Sequence, residues 1–217
     1  SLIGAAAISG AAVAPSMGRL NLKTTNALLA AFNARLGVWV PNPASAKQDR
    51  MAAPRVINMF KEIFGVYGNT DPNVYATDGG HWENLGMVEL IRKKCDLIIA
   101  IDTSGDLPGT YRAFKDAIAL SFLECEATIE IDESEWNAMV PGEDGLVPRN
   151  FVRGTIVYDD DTEGELLYVK AAVSRSTPLA VQRYAAGDRT FPNYSTANQM
   201  LSDTQLTNLF KLGFASM

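Results

Sequence analysis

The chain has 217 residues, 19 basic against 25 acidic, for a net charge of −6. That length suits one large domain or two small ones, and the 47% hydrophobic content sets the chain apart from disordered sequences. The longest basic run is Arg92-Lys93-Lys94, which argues against a nucleic-acid surface. A single His, with Cys95 and Cys125 outside any C-x-x-C spacing, excludes a structural zinc set. The two cysteines read as free thiols of a reducing compartment.

Leu2 to Ala14 is apolar but broken by Gly4, Ser9 and Gly10, and it stops at Pro15. It falls short of the roughly 20 residues that a helix needs to cross a bilayer. It also lacks the basic leader of a signal peptide. So abrupt an apolar opening suggests a piece of a longer protein, or a Ser1 left by cloning.

Thr25 is an expected N-cap for a helix over 26–36, with Leu28, Leu29, Phe32 and Leu36 on one face and Gly37 as the stop. Trp39 to Pro43 reads as an extended turn, because a proline disfavours helix at the residue before it. A second helix is expected over 54–64, with Pro54 in its first turn. Leu85 to Lys94 has helical spacing at Met87, Leu90 and Ile91, and its basic end suits the helix dipole. Leu97 to Ile101 is a continuous apolar run of strand length, the pattern of a strand covered on both faces.

Tyr111 to Leu123 is expected to be helical, and 127–131 alternates as a strand. Phe151–Tyr158 and Glu165–Val173 flank an acidic loop, Asp159-Asp160-Asp161-Thr162-Glu163-Gly164, which signals a β-hairpin. A short helix is expected over 181–186. Ser202-x-x-Gln205 is a capping-box pattern before a last helix ending near Leu212, with Gly213 as the stop.

The chemistry concentrates at Asp78-Gly79-Gly80-His81-Trp82-Glu83-Asn84-Leu85-Gly86. A serine hydroxyl is a weak nucleophile until a base takes its proton, and a carboxylate within hydrogen-bond reach can do so. Asp is short, so the main chain must carry it close. Gly79 and Gly80 permit a tight turn in dihedral regions that other residues avoid, and they leave room for a substrate. The same tripeptide is also an ordinary connector between an extended run and a helix.

This Asp-Gly-Gly, followed by Asn84, a helix and an apolar strand, resembles the corresponding element of patatin-like phospholipases. Ile8-Ser9-Gly10-Ala11-Ala12-Val13-Ala14-Pro15 is similar to the family's Ser-Ala-Ala-Pro segment. Phe32 to Pro43 and Phe191 to Gln199 resemble segments of a bacterial branch whose long members add membrane segments. The resemblance implies the C-terminal part of a lipid acyl hydrolase with a Ser–Asp dyad. Asp78 would be the base, with Gly79, Gly80, His81 and Asn84 lining or shaping the site. It implies a lipid or acyl-ester substrate, no metal and no organic cofactor. It also implies a missing N-terminal part as structural partner, and a cytoplasmic or membrane-associated parent protein. The sequence departs from the family in lacking G-x-S-x-G and the Gly-rich segment that would furnish oxyanion-hole amides, so the chain alone is expected to be inactive. The alternative is a non-catalytic scaffold or interaction domain that keeps a hydrolase-like fold.

Other candidates have plainer readings. Ser9 lacks the frame that forces a serine onto an exposed elbow, so a small residue packing a helix against the sheet is its plainer reading, and Ser1 as an N-terminal nucleophile is set aside because cloning commonly leaves a serine there. His81 lies too near Asp78 in sequence for a triad built from distant segments. Asp78 with Glu83 as a glycosidase pair lacks an accompanying sugar cleft. Asp159–Glu163 lacks the ligand spacing of a calcium loop. Asp102-Thr103-Ser104-Gly105-Asp106, after the apolar strand, is a natural position for substrate contacts. The expected architecture is a single α/β domain over 1–217. Its core, 1–131, holds a layered, mostly parallel sheet flanked by helices, and 132–217 supplies a hairpin and terminal helices.

Overall fold

The structure, a computed structural model, describes residues 37–44, 56–64, 68, 70–106, 109–194 and 200–216. The expected helix over 26–36, the segment 8–15, Ser1, Ser9, Pro54 and residues 195–199 lie outside these. The chain divides into two compact units, Ser1–Trp82 and Glu83–Met217.

In the first unit, β1 (Val38–Pro41) pairs antiparallel with β2 (Asn73–Ala76). Trp39 and Tyr75, directly opposite in this register, bring their rings to 5.4 Å, a cross-strand aromatic pair. The expected extended turn over 39–43 is therefore a strand as far as Pro41. Partner residues some 35 positions away decide this, and a local propensity reading cannot see them. Asn42, buried, finishes the strand by donating its amide to Asp71 O at 2.8 Å. Helix α1 (Val56–Phe64) follows the sequence expectation, and its Lys61 meets Asp71 at 2.6 Å.

The second unit is α/β. It contains α2 (Met87–Arg92), β3 (Leu97–Asp102), α3 (Arg112–Cys125), β4 (Thr128–Glu130), α4 (Glu133–Asn137), β5 (Phe151–Val157), β6 (Glu163–Lys170), α5 (Leu179–Gly187) and α6 (Asp203–Ala215). The four strands form one sheet in the order β3-β6-β5-β4. Only β3 and β6 run parallel, whereas β6–β5 and β5–β4 are antiparallel. The sheet is thus mixed among the described strands, not mostly parallel. The acidic loop explains this. Tyr158 N donates to Thr162 O at 2.9 Å, closing a tight hairpin that makes β5 and β6 antiparallel.

The core lies on one face of this sheet. Ile98, Ala100, Val152, Ile156, Leu166 and Tyr168 meet Met87, Ile91, Phe114 and Ala117 from the helices. Phe114 stacks on Tyr168 with ring centroids 3.8 Å apart. The run Leu97–Ile101 reads as doubly covered, yet Leu97, Ile99 and Ile101 are 53%, 54% and 68% exposed. The strand's alternation sends only Ile98, Ala100 and Asp102 inward.

A smaller cluster of Val173, Val181, Phe191 and Leu212 lies beneath α5 and α6. The capping box forms as expected. Gln205 N donates to Ser202 Oγ at 3.3 Å, and Ser202 N donates to Gln205 Oε1 at 2.8 Å. The helix does not stop at Gly213 but runs to Ala215. Ser216 closes it: its Oγ donates to Leu212 O and receives the Asn150 amide at 2.6 Å, which ties the helix end to the sheet domain. Among the described residues, no helix is long and apolar enough to cross a membrane.

Candidate functional site

The residues singled out from sequence fall in both units. Asp78, Gly79, Gly80 and His81 belong to the first, and Asn84 to the second.

Gly79–His81 form a single 3-10 turn directly after β2. Asp78 precedes it with extended backbone, φ −60° and ψ 128°, and its Oδ1 accepts from Gly80 N–H at 2.8 Å. This is N-cap geometry: a short carboxylate takes up an amide that the turn itself leaves unpaired. Asp78 is half-buried, and no ion pair to it exists among the described residues. Gly79 is exposed and lies outside the left-handed region, and a methyl group placed on it would meet nothing within 4 Å. The expectation that Gly79 serves a dihedral region closed to other residues is therefore corrected. A 3-10 turn needs no glycine for its backbone, and what Gly79 contributes is open space.

In this motif Gly86 is the glycine that its backbone requires, at φ 70°, ahead of α2. Glu83 is its companion. The Glu83 carboxylate accepts from Leu85 N–H and, at 3.4 Å, from Val88 N–H, so it caps α2. Asn84 is exposed and lines a cleft of about 490 Å³ at the carboxyl end of β3.

That strand end holds the charged centre of the second unit. Asp102 is fully buried and Lys170, at the end of the parallel strand β6, is 5% exposed. Asp102 Oδ1 accepts from Ser104 N at 2.8 Å and lies 3.2 Å from Lys170 Nζ, while Tyr168 OH donates to Oδ2 at 2.6 Å. Burial alone would raise the Asp102 pKa. Hydrogen bonds from Ser104 and Tyr168, with the Lys170 charge, outweigh it and hold the carboxyl below its ordinary 3.8. Burial pushes Tyr168 upward too, and its bond to Asp102 adds to this. Lys170 Nζ also donates to Ser104 O at 2.9 Å and Ser104 Oγ at 3.1 Å. The pair therefore grips the loop Thr103–Asp106 from below. Gly105 fits against the carbonyl of Tyr194, to which an added Cβ would approach within 3.3 Å.

Sequence reasoning marked Asp102–Asp106 as a place for substrate contacts but missed Lys170 and Tyr168. The signal was there in part: a lysine closing the run Leu166-Leu167-Tyr168-Val169 is out of pattern. The partner of Tyr168 is 66 residues away and invisible to spacing arguments. The acidic loop behaves as a solvated hairpin tip. Lys94 reaches Asp159 and Asp160 at 2.6 Å each, and among the described residues no cluster of His, Cys, Asp or Glu suits a metal ion.

Comparison with known proteins returns no match: no family model, no curated protein and no solved structure is similar to the chain.

Proposed function

We propose that this chain supplies the carboxylate half of a Ser–Asp acyl hydrolase acting on lipid or other acyl esters. Asp78 is the base and orienter, Gly79 and Gly80 carry it on an open turn, and His81 is a secondary site residue on the same turn. The observation that carries this reading is the posture of Asp78. One oxygen is fixed by Gly80 N–H at 2.8 Å, and no described cation neutralises the group. A carboxylate held this way keeps an oxygen for a serine hydroxyl while its orientation is already set. The open space at Gly79 leaves room for an ester on the same turn. The nucleophile belongs to a G-x-S-x-G segment outside these 217 residues, and no metal or organic cofactor enters the chemistry.

The test is made on the full-length protein encoded by the gene. A fluorophosphonate should label one serine. Asp78→Asn should abolish labelling and lower kcat on p-nitrophenyl esters by about 10³- to 10⁴-fold with the fold intact. Unchanged kcat in that variant would refute the dyad.

A second reading, a non-catalytic scaffold, is favoured by one observation. Capping the 79–81 turn is a complete structural role for Asp78. Failure of the full-length protein to react with the probe would select it.

A further inference from the structure

The face of the second unit's sheet turned away from the core is uncovered beside β3. Strand alternation and register fix which side chains share it. Leu97, Ile99 and Ile101 of β3 stand in a row opposite Glu165, Leu167 and Val169 of β6. The next strand sets Thr155, Arg153 and Phe151 beside these, and Glu130 of β4 follows Thr155. The side along β3 and the carboxyl half of β6 is therefore apolar, and the part next to the amino end of β6 is charged. A parallel strand pair is ordinarily covered on both faces, yet all three β3 side chains are more than half exposed.

A cleft of about 740 Å³ crosses the charged part, with Leu97 and Leu167 on its apolar wall. Glu130, Asp132, Glu135 and Glu165 also line it, against the guanidinium of Arg153. Glu135 is engaged, because Arg149 reaches it at 2.7 Å. Glu130, Asp132 and Glu165 have no ion pair among the described residues. An apolar row thus runs beside three carboxylates that no described cation answers.

This pairing selects among occupants. An anionic lipid surface is repelled by the acids, and a flat bilayer does not enter a cleft. A second copy of the chain carries its own net charge of −6 and brings the same carboxylates. An extended segment added to the edge of β3 would pair with its backbone and leave the row Leu97, Ile99 and Ile101 open. A helix covers the face itself. Leu97 to Ile101 spans roughly 13 Å, the length of about nine helical residues. A helix along the seam of β3 and β6 also carries the long basic side chains of one flank over Glu165 and the cleft.

We propose that this face docks an amphipathic helix of another protein. Its apolar stripe lies on Leu97, Ile99, Ile101 and Leu167, and its basic flank faces Glu165, Glu130 and Asp132. The apolar row supplies most of the affinity, and the carboxylates select the sign of the partner's charge. Nothing in this surface involves Asp78, so it stands whether or not the dyad reading holds.

The experiment titrates the full 217-residue chain into a fluorescein-labelled peptide of leucine and lysine alone, about 14 residues long, its leucines on one helical face. Anisotropy should rise saturably, and binding should weaken as salt rises. The same peptide with glutamate for lysine should bind at least about tenfold more weakly. Ile99→Lys should weaken binding of the lysine peptide by about tenfold or more. Ile101→Lys, at the most exposed position of the row, reads the same face should the first variant not fold by circular dichroism. Glu130→Gln with Glu165→Gln should weaken it about five-fold. Phe210→Lys, at an exposed apolar position on α6, adds the same charge elsewhere and should change nothing. No saturable binding, or binding unchanged by lysine in the β3 row, overturns the surface. So does an equal loss in Phe210→Lys. A glutamate peptide that binds as tightly overturns the basic flank. A dimer in sedimentation velocity that Ile99→Lys dissolves assigns the face to a second copy and overturns the proposal.

Discussion

Lys170→Met tests whether the buried pair organises the second unit. The substitution keeps the unbranched stem, one atom shorter, and removes its charge. Asp102, fully buried, would then keep the Tyr168 hydroxyl at 2.6 Å and the Ser104 amide at 2.8 Å but lose its only described cation. Removing one partner of a buried pair costs about 3–5 kcal/mol, because the remaining charge stays buried without compensation. The two surviving hydrogen bonds place the expected loss at the lower end, about 3 kcal/mol at pH 7. Urea unfolding followed by circular dichroism measures it.

The pH dependence sharpens the test. In the wild type the folded-state pKa of Asp102 is lowered from 3.8. Its contribution is therefore present above the unfolded value and is lost as pH falls through the folded value. Without Lys170, burial dominates and the carboxyl takes up a proton at higher pH. The variant then escapes part of its penalty in acid, so the gap to wild type should narrow from pH 7 to pH 4. Asp102→Asn combined with Lys170→Met should recover most of the loss, since a neutral amide still accepts from Tyr168. A loss below about 1 kcal/mol that is flat with pH, or a double variant no better than Lys170→Met, would refute the reasoning.

Further outcomes follow from the geometry. Gly164→Ala places a Cβ 2.8 Å from Cys95 O and 2.7 Å from Tyr158 OH, so it should cost about 1–3 kcal/mol in urea unfolding and disturb the bond from Tyr158 to Cys95. Asp188 is held down to about 2 by hydrogen bonds from Thr190 and Tyr194, so its contribution is complete above pH 3.8 and disappears on descent through about 2. Asp188→Asn should flatten the acid limb of stability in that window, as seen in thermal melts at stepped pH. Asp78→Ala should destabilise the first unit by about 1 kcal/mol through loss of the cap, while Asp78→Asn keeps the acceptor and the stability. Hydrogen exchange at the Gly80 amide distinguishes the two variants.

The elements that read correctly from sequence are those with local causes. Apolar spacing gave α2 and α3, a Gly-containing acidic loop gave the β5–β6 hairpin, and Ser202 with Gln205 formed the capping box as expected. Helix α4 went unread, since five residues carry too little periodicity. Of the candidate site, only the local backbone geometry was legible. Asp78 does sit at a glycine turn between a strand and a helix, and the loop after β3 does line a cleft.

Sequence by itself settled much of the local conformation, namely the capping box, the acidic hairpin and the helical faces of α2 and α3, because these depend on neighbours within a few positions. Tertiary structure decided the pairing of β1 with β2, the addition of β3 and β4 to either side of the β5–β6 hairpin, the exposure of Leu97, Ile99 and Ile101, and the burial of Lys170 against Asp102. Each turns on which distant strand or helix arrives beside a residue. An apolar run reads the same whether one face or two will be covered, and a lysine reads as a surface residue until a carboxylate from another strand meets it in the interior.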